Sequence, residues 1–503
     1  MNKQQIELNP NLLVKYLQKS PKEFTRADII DFVVNHDIEM LNLRYVAEDG
    51  RLKSLNFVIN SLEHLEDILT HGERVDGSSL FSFIEAGSSD LYVIPRYSTA
   101  FLNPFEEVPT LDILCSYYTF EGKPLESAPE YMLKKAADLF RSETGFSFMA
   151  LGELEYYVIA DAEENKAFPA TDQKGYHESD PFTKFDFLRK EAMQLISQCG
   201  GKIKYGHSEV GNFTTGSTYY EQQEIEFLPC EVETAADQLV IAKWIIRKLA
   251  DDYEVNVSFA PKITVGKAGS GLHIHMMAAK DGINQLVENG KLGETARRMI
   301  AGILEYADAL TAFGNTIPTS YLRLVPHQEA PTNICWGDRN RSTLIRVPLG
   351  WIGADDIIHQ VNPQDKSNLS KGTSKQTFEI RSGDGSADLY PYLSAIIVAA
   401  LAGFRMENAL QKAQELYVDV NIFKEEHKAR LAQLKALPAS CHESALALQE
   451  KREYFESTGV FPKGLIDNTI KKLMAFDDKN LSERLYGKND EIAALVEKYL
   501  HTK

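Results

Sequence analysis

Apolar and polar positions alternate with period two over residues 41–46, 54–59, 91–94, 110–117 and 148–159, and each run is predicted to be a β-strand with one face turned to a core. Glu48-Asp49-Gly50 separates the first two runs, so they read as a hairpin. Helical spacing of apolar residues appears instead over 131–144, 185–199 and 235–253. The last of these carries Leu239, Ile245, Ile246 and Leu249 in one stripe, with Thr234 as the expected N-cap. Residues 393–404 are apolar on every side and predict a buried helix, whereas 420–501 reads as helices with charged outer faces. Glu121-Gly122-Lys123-Pro124 is rich in turn formers and marks the change from a small sheet with helices to long helices alternating with strands. The chain therefore divides into a domain over 1–120 and a larger one over 121–503, helical from about 405.

Composition narrows the class. With 503 residues, 44% hydrophobic and 25% charged, the chain has material for two to four domain-sized units and a large core. Its formal net charge of -18 opposes binding to nucleic acid or to an anionic membrane surface. Five cysteines without CxxC spacing argue against a disulfide framework or a zinc cluster and favour a reducing compartment. Residues 1–24 lack the apolar core of a signal peptide and no run of 18 apolar residues occurs, so the expected location is the cytoplasm, with no membrane partner. There is no internal repeat and no low-complexity linker.

Several polar clusters sit on otherwise apolar strands. Gly269-Ser270-Gly271-Leu272-His273-Ile274-His275 delivers two imidazoles to one strand face, since positions i and i+2 point the same way. Gly152-Glu153-Leu154-Glu155 does the same with two carboxylates, which repel unless a cation lies beside them. Two more such segments are His207-Ser208-Glu209-Val210 and Gln222-Gln223-Glu224-Ile225-Glu226-Phe227. Phe378-Glu379-Ile380-Arg381 points an acid and a base one way. Taken singly, each has a bland reading as an exposed strand or a cross-strand ion pair. Arg323, Arg339, Arg341 and Arg346 crowd into 24 positions of an acidic chain, with Glu329 among them, and suggest an anion with several oxygens. Glu153, Glu155, Glu209, Glu224, Glu379 and His273 form the donor set expected for Mg²⁺ or Mn²⁺. Acids for two cations beside arginines for phosphates describe a phosphoryl-transfer site.

The order of these motifs resembles glutamine synthetase of the bacterial type I group. The resemblance runs from Asp76-Gly77-Ser78-Ser79 through Gly152-Glu153-Leu154-Glu155, Gly175-Tyr176, His207-Ser208-Glu209-Val210, Gln223-Glu224-Ile225 and Gly269 to His273. It continues with Arg323-Leu324-Val325-Pro326, Glu329-Ala330-Pro331, Arg339-Asn340-Arg341-Ser342, Ile345-Arg346-Val347-Pro348 and Glu379-Ile380-Arg381, covering roughly residues 30 to 405. It implies an α+β fold, with a small β-grasp-like N-terminal domain and a large catalytic domain built on a curved antiparallel sheet flanked by helices.

The resemblance also implies roles. Glu155, Glu209 and Glu224 would hold one divalent cation, and Glu153, His273 and Glu379 another, with Glu221 and Glu226 as alternatives to Glu224. ATP would meet His275, Arg341 and Arg346, and glutamate would meet Gly269, Arg323, Glu329 and Arg381. Ammonium would be held by Asp76, Ser79, Tyr176 and Glu209. Asp76 would serve as base, Arg341 would stabilise the transferring phosphoryl group, and the Glu329 loop would shield the intermediate. The partners so implied are glutamate, ammonia, ATP and further copies of the chain, stacked as two hexamers in a dodecamer, with Asp76 acting in the neighbouring subunit.

The chain departs from the family pattern at Ala268, where Asn is usual, at a longer interval over 211–220, and at Ser208, Met277 and Thr377 near the expected nucleotide. No counterpart of a regulatory nucleotidylated tyrosine follows Tyr392. Two other functions fit the same residues: a γ-glutamyl amide ligase that accepts a polyamine or other amine, and a non-catalytic regulatory member.

Overall fold

The alternation over 40–58 closes into a hairpin. In the computed structural model, which describes residues 1–85, 87, 89–162, 167–326, 330–350, 357–365 and 375–503, β1 (Met40–Val46) pairs antiparallel with β2 (Leu52–Val58). Gly50 turns the chain at φ +71°, a backbone region that favours glycine. Strands β3 (Glu73–Asp76), β4 (Asp90–Pro95), β5 (Phe101–Leu102) and β6 (Thr110–Thr119) complete this first sheet. Its order is β2-β1-β6-β4-β3, with β5 beside β6 and with β1 and β6 parallel. Helices Leu12–Leu17, Arg26–Asn35 and Leu62–His71 contribute Leu13, Phe32, Leu65 and Ile68 to the core below it.

The second sheet has ten strands. At its centre lies β7 (Ser147–Asp161), flanked by the long hairpin of β8 (Ile203–Thr215) and β9 (Thr218–Phe227). The short strands β10 (Cys230–Glu231) and β11 (Asn256–Ser258) also pair with β7, and β12 (Leu272–Lys280) lies on its other side. Beyond β12 come Phe378–Ile380, Ile345–Val347 and Trp336–Asp338, and every pairing is antiparallel except the last. Alternation sends Phe148, Ala150, Leu154 and Val158 of β7 into the core, where helix Val232–Asp252 covers that face. A Cβ on Gly152 would meet the Leu239 side chain at 2.9 Å, so glycine here lets helix and sheet approach. Helix Leu389–Arg405 is buried along nearly its whole length against Glu294–Gly314 and Pro129–Thr144.

The expected α+β class and the expected strands and helices appear. The differences are local. Helix Val232–Asp252 starts before Thr234, with Glu231 as its N-cap, because Cys230–Glu231 is tied to β7 and the chain passes straight from strand to helix. The segment 211–220, read as an insertion, is the outer part of the β8–β9 hairpin, turning at Gly216. Helix Glu294–Gly314, with 15 of its 21 residues buried, is an element that the sequence pattern did not mark. All five cysteines are buried thiols. Among the described residues no single helix is long and apolar enough to cross a membrane.

Two polar contacts join the sheets. Arg96, just after β4, makes a bidentate pair with Asp237 of helix Val232–Asp252 at 2.8 and 2.9 Å, and the Tyr390 hydroxyl donates to Asp237 at 2.7 Å. Arg44, ion-paired with buried Asp112, lies 4.5 Å from the Trp244 ring centroid.

Candidate functional site

Strand register assembles the acidic cluster. Glu153 of β7 lies opposite His273 on one side and Glu226 on the other, and Glu155 lies opposite Glu224. Glu224 in turn faces His207 of β8, while His275 faces Glu379. Because each residue projects from the same side of its strand, the charges of five strands gather on one face of the sheet. A register shift in β8 between Ser208 and Asn212 puts the two-residue excess of a β-bulge next to Glu209. Three groups of ligand atoms lie within 4.8 Å of one another: Glu153, His273 and Glu379; His207, Glu209 and Glu224; and Glu153, Glu226 and His275.

Glu153 is the hub. Its two oxygens lie 2.7 Å from His273 Nδ1 and 2.8 Å from His275 Nε2. His275 Nε2 is also 2.7 Å from Glu379 Oε2, and its Nδ1 is 2.9 Å from Thr377 Oγ1. Burial alone would raise the Glu153 carboxyl, but His275 and His273 hold it well below the usual range. Burial would lower His275, yet Glu153 and Glu379 push it up to about 10. Glu224 goes the other way: burial, then Glu153, Glu155, Glu209 and Glu226, drive its carboxyl well above the ordinary value. That crowding of buried oxygen donors with one or two imidazoles fits Mg²⁺ or Mn²⁺ and not a thiolate-seeking metal.

Arginines border the acids. Arg346 donates to Glu379 at 3.0 Å, and its Nε is buried with no hydrogen-bond partner among the described residues. Arg381 Nε lies 3.4 Å from Glu379. Arg323 donates to the backbone oxygens of Ser382 and Arg381 at 3.0 and 3.2 Å and lies 3.3 Å from His273 Nε2. The turn bearing Gly269 packs on it: a Cβ there would meet Pro261 O at 2.6 Å and the Arg323 side chain at 3.0 Å.

Glu155 accepts from the Gly271 N–H at 2.8 Å and from Gln222 Nε2 at 3.1 Å, so its nearest partners are not Glu209 and Glu224, with which His207 is grouped instead. Of the alternatives to Glu224, Glu221 turns away to accept from the backbone N–H groups of Lys184 and Phe185. Glu226 shares the Glu224 face and is paired with Lys204 at 2.6 Å. Ser208 lies on the reverse face, where its hydroxyl donates to Gly175 O and Glu178 O. Tyr176 is half-exposed, stacked on His177 and edge-on to His207. Asp76 and Ser79 are exposed in the N-terminal domain, where the serine hydroxyls of Ser79 and Ser78 hold the Asp76 carboxyl far below its ordinary value. Arg341 is exposed, and its carbonyl accepts from Arg381. Glu329 lies outside the described residues. His207, Gln222 and Thr377 join the cluster without having been assigned a role from sequence, and Glu226, expected only as an alternative to Glu224, joins it beside Glu224; for Gln222 the two-residue spacing to Glu224 was the available signal. A cavity of about 680 Å³ has Ser78 and Ser79 in its wall but none of these site carboxylates.

Comparison with known proteins gives the same picture. Residues 126–474 match the family model of the glutamine synthetase catalytic domain, and residues 37–120 match that of the glutamine synthetase beta-grasp domain. The chain is 30% identical over 408 residues to glutamine synthetase of Clostridium saccharobutylicum, covering 80% of this chain and 84% of that protein. It is 28% identical over 448 residues to glutamine synthetase of Thermus thermophilus, covering 87% and 92%. A cryo-electron-microscopy structure of Plasmodium falciparum glutamine synthetase superposes with a TM-score of 0.74 at 20% identity, covering 93% of this chain and all of that one. Apo GmaS gives 0.71 at 18% identity, covering 91% and 97%. The chain thus belongs to the glutamine synthetase family of ligases.

Proposed function

We propose that the protein joins ammonia to the γ-carboxylate of L-glutamate at the expense of ATP, through γ-glutamyl phosphate, giving L-glutamine, ADP and phosphate. The observation that carries this reading is the gathering of Glu153, His273 and Glu379 beside His207, Glu209 and Glu224, bordered by Arg346, Arg323 and Arg381.

A carboxylate resists nucleophiles, so its oxygen first takes the γ-phosphoryl group of ATP, and ammonia then displaces phosphate from the acyl carbon. Glu153, His273 and Glu379 would hold one Mg²⁺ or Mn²⁺, and Glu155, Glu209 and Glu224 another, with His207 within reach of the second. When bound, such cations would neutralise phosphate charge and fix the oxygens in line. Arg346 offers its unpaired Nε to phosphate oxygens, alongside Arg341 and His275. Arg323, Arg381 and the Gly269 turn would seat glutamate. Ser79, Tyr176 and Glu209 would hold ammonium while Asp76 takes its proton. Exposure of Asp76, Ser79 and Tyr176 supports a site completed by the neighbouring copy, as in the type I dodecamer of two hexamers. Glu329 would close over the intermediate. A cytoplasmic location suits a chain with five buried thiols.

A second reading replaces ammonia by a larger amine. The rings of Tyr176, His177, His207 and Tyr205, stacked or tilted at 4.2 to 5.9 Å beside Glu209, favour it as a surface for an alkyl chain. Phosphate release from ATP decides between them. Release that requires both glutamate and ammonium supports the synthetase, whereas release with methylamine or a diamine at far lower concentration than ammonium overturns it.

A further inference from the structure

Glu48, in the turn of the β1–β2 hairpin, gathers donors from both domains. Its Oε2 accepts from the Ser82 N–H at 2.7 Å and its Oε1 from the Ser82 hydroxyl at 3.0 Å. The same Oε1 accepts from Asn468 Nδ2 and pairs with Lys472 Nζ, both at 2.5 Å. Asn468 and Lys472 stand one turn apart on one face of helix Lys463–Met474. The Glu48 N–H donates in addition to Leu80 O at 3.1 Å. Burial would raise the Glu48 carboxyl, but Lys472 and Ser82 hold it below its usual range, so it stays an acceptor for these donors.

Leu80 and Ser82 close the segment that begins at Asp76. The 3₁₀ turn Gly77–Ser79 folds back on the Asp76 carboxylate, which accepts from the Ser78 N–H at 3.0 Å and from the hydroxyls of Ser78 and Ser79 at 2.7 Å each. At its start the Gly77 N–H donates to Ser89 O at 2.7 Å, and past its end the Phe81 ring is buried 5.1 Å from the Tyr117 ring. Ser78 and Ser79 themselves border the cavity of about 680 Å³, whose wall also includes Glu48, Asn468 and Lys472. Open space behind the turn leaves its placement to directional bonds more than to packing, and the bonds through Glu48 tie it across that space to the catalytic domain.

We infer that Glu48 is a positioning residue for Asp76: its carboxylate clamps the segment carrying Asp76 onto helix Lys463–Met474. The inference rests on the function proposed above, in which Asp76 takes the ammonium proton in the site of the neighbouring copy. The C-terminal helix of one subunit then sets where a group acting in the next subunit stands.

Glu48→Ala and Glu48→Gln separate this role from that of a plain ion pair between domains. Both lose the charge that Lys472 meets, but glutamine keeps an oxygen for the Ser82 N–H. Steady-state rates are measured on the full-length oligomer with Mg²⁺, one substrate being varied at a time. Glu48→Ala should raise the KM for ammonium at least about fivefold, because the turn spends less time in its competent position, while the KM values for ATP and glutamate stay within about twofold. Glu48→Gln should hold the ammonium KM within about twofold of the wild type. An unchanged ammonium KM in Glu48→Ala, a rise shared by ATP and glutamate, or a glutamine variant as impaired as the alanine one overturns the role of Glu48. Ser82→Ala, at an exposed position, removes one bond to the segment without touching the helix and should raise the same KM about threefold. No rise there overturns the inference even where Glu48→Ala fails to assemble. A wild-type protein without ammonium-dependent turnover overturns the proposed function, and the inference with it.

Discussion

Glu130, in the first turn of helix Pro129–Thr144, is a built-in source of pH dependence at the junction of the two sheets. Its carboxylate accepts from the Tyr117 N–H of β6 at 2.8 Å and borders a cavity of about 170 Å³ shared with Arg96, Asp237 and Tyr390. Burial outweighs that hydrogen bond and the Arg96 charge, pushing its carboxyl from 4.5 up to about 7. At 1.36 kcal/mol per unit the separation is worth roughly 3 kcal/mol, and water reaching the partly buried residue trims it to about 2. A group protonated in the folded chain but ionised in the unfolded one makes stability fall as pH rises from about 4.5 to about 7. Glu130→Gln is neutral in both states and retains the oxygen that Tyr117 needs. Chemical denaturation of both proteins at pH 5, 7 and 8.5 gives a difference curve in which other titrating groups cancel. The variant should match the wild type near pH 4.5 and exceed it by about 2 kcal/mol above pH 7. A flat difference curve, or a variant less stable at pH 8.5, refutes the reasoning.

Three other outcomes are expected. Glu153→Gln removes the carboxylate that both histidines meet and should weaken Mn²⁺ binding by at least about a hundredfold, read by calorimetry; binding within threefold would remove Glu153 from the cation site. Asp76→Ala should abolish ammonium-dependent turnover and spare ATP binding, and mixing it with Glu153→Gln subunits before reassembly should restore about one quarter of the sites if Asp76 acts in the neighbouring copy. No recovery on mixing would place it in its own subunit's site. Arg96→Ala strands the Asp237 carboxylate between the sheets and should cost about 3–5 kcal/mol in a denaturant titration, with a loss below 1 kcal/mol counting against that junction.

The cluster was legible because the two-residue period of a strand places Glu153 with Glu155 and His273 with His275 before any partner is known. What faces each of them depends on register between distant segments, and so the pairing of His207 with Glu224 and the capture of Glu155 by Gly271 became visible only in three dimensions. Helix Glu294–Gly314 escaped notice for a different reason. Fifteen of its 21 residues are buried, and only a narrow polar edge of Glu294, Arg298 and Glu305 sets off the apolar remainder. Residues 420–427, expected to begin a helical region, form turns and a short 3₁₀ segment that supports Val418 and Ile422 against Cys335.

The β8–β9 hairpin has a consequence for how this chain tolerates change. Its outer pairs, from Asn212 with Glu221 to Thr215 with Thr218, stand beyond the bulge, and the tip turns at exposed Gly216. Matched additions to the two arms there leave the pairing of His207 with Glu224 as it is. A single residue gained by one arm between the bulge and Glu224 would swap the faces of Glu224 and Glu226 with those of Gln223 and Ile225, and put an amide and an isoleucine where the carboxylates stood. Hairpin length can therefore vary at the Gly216 tip without disturbing the face that carries the carboxylates, whereas one unmatched residue on the Glu224 side of the bulge should cost the protein its Mn²⁺ binding.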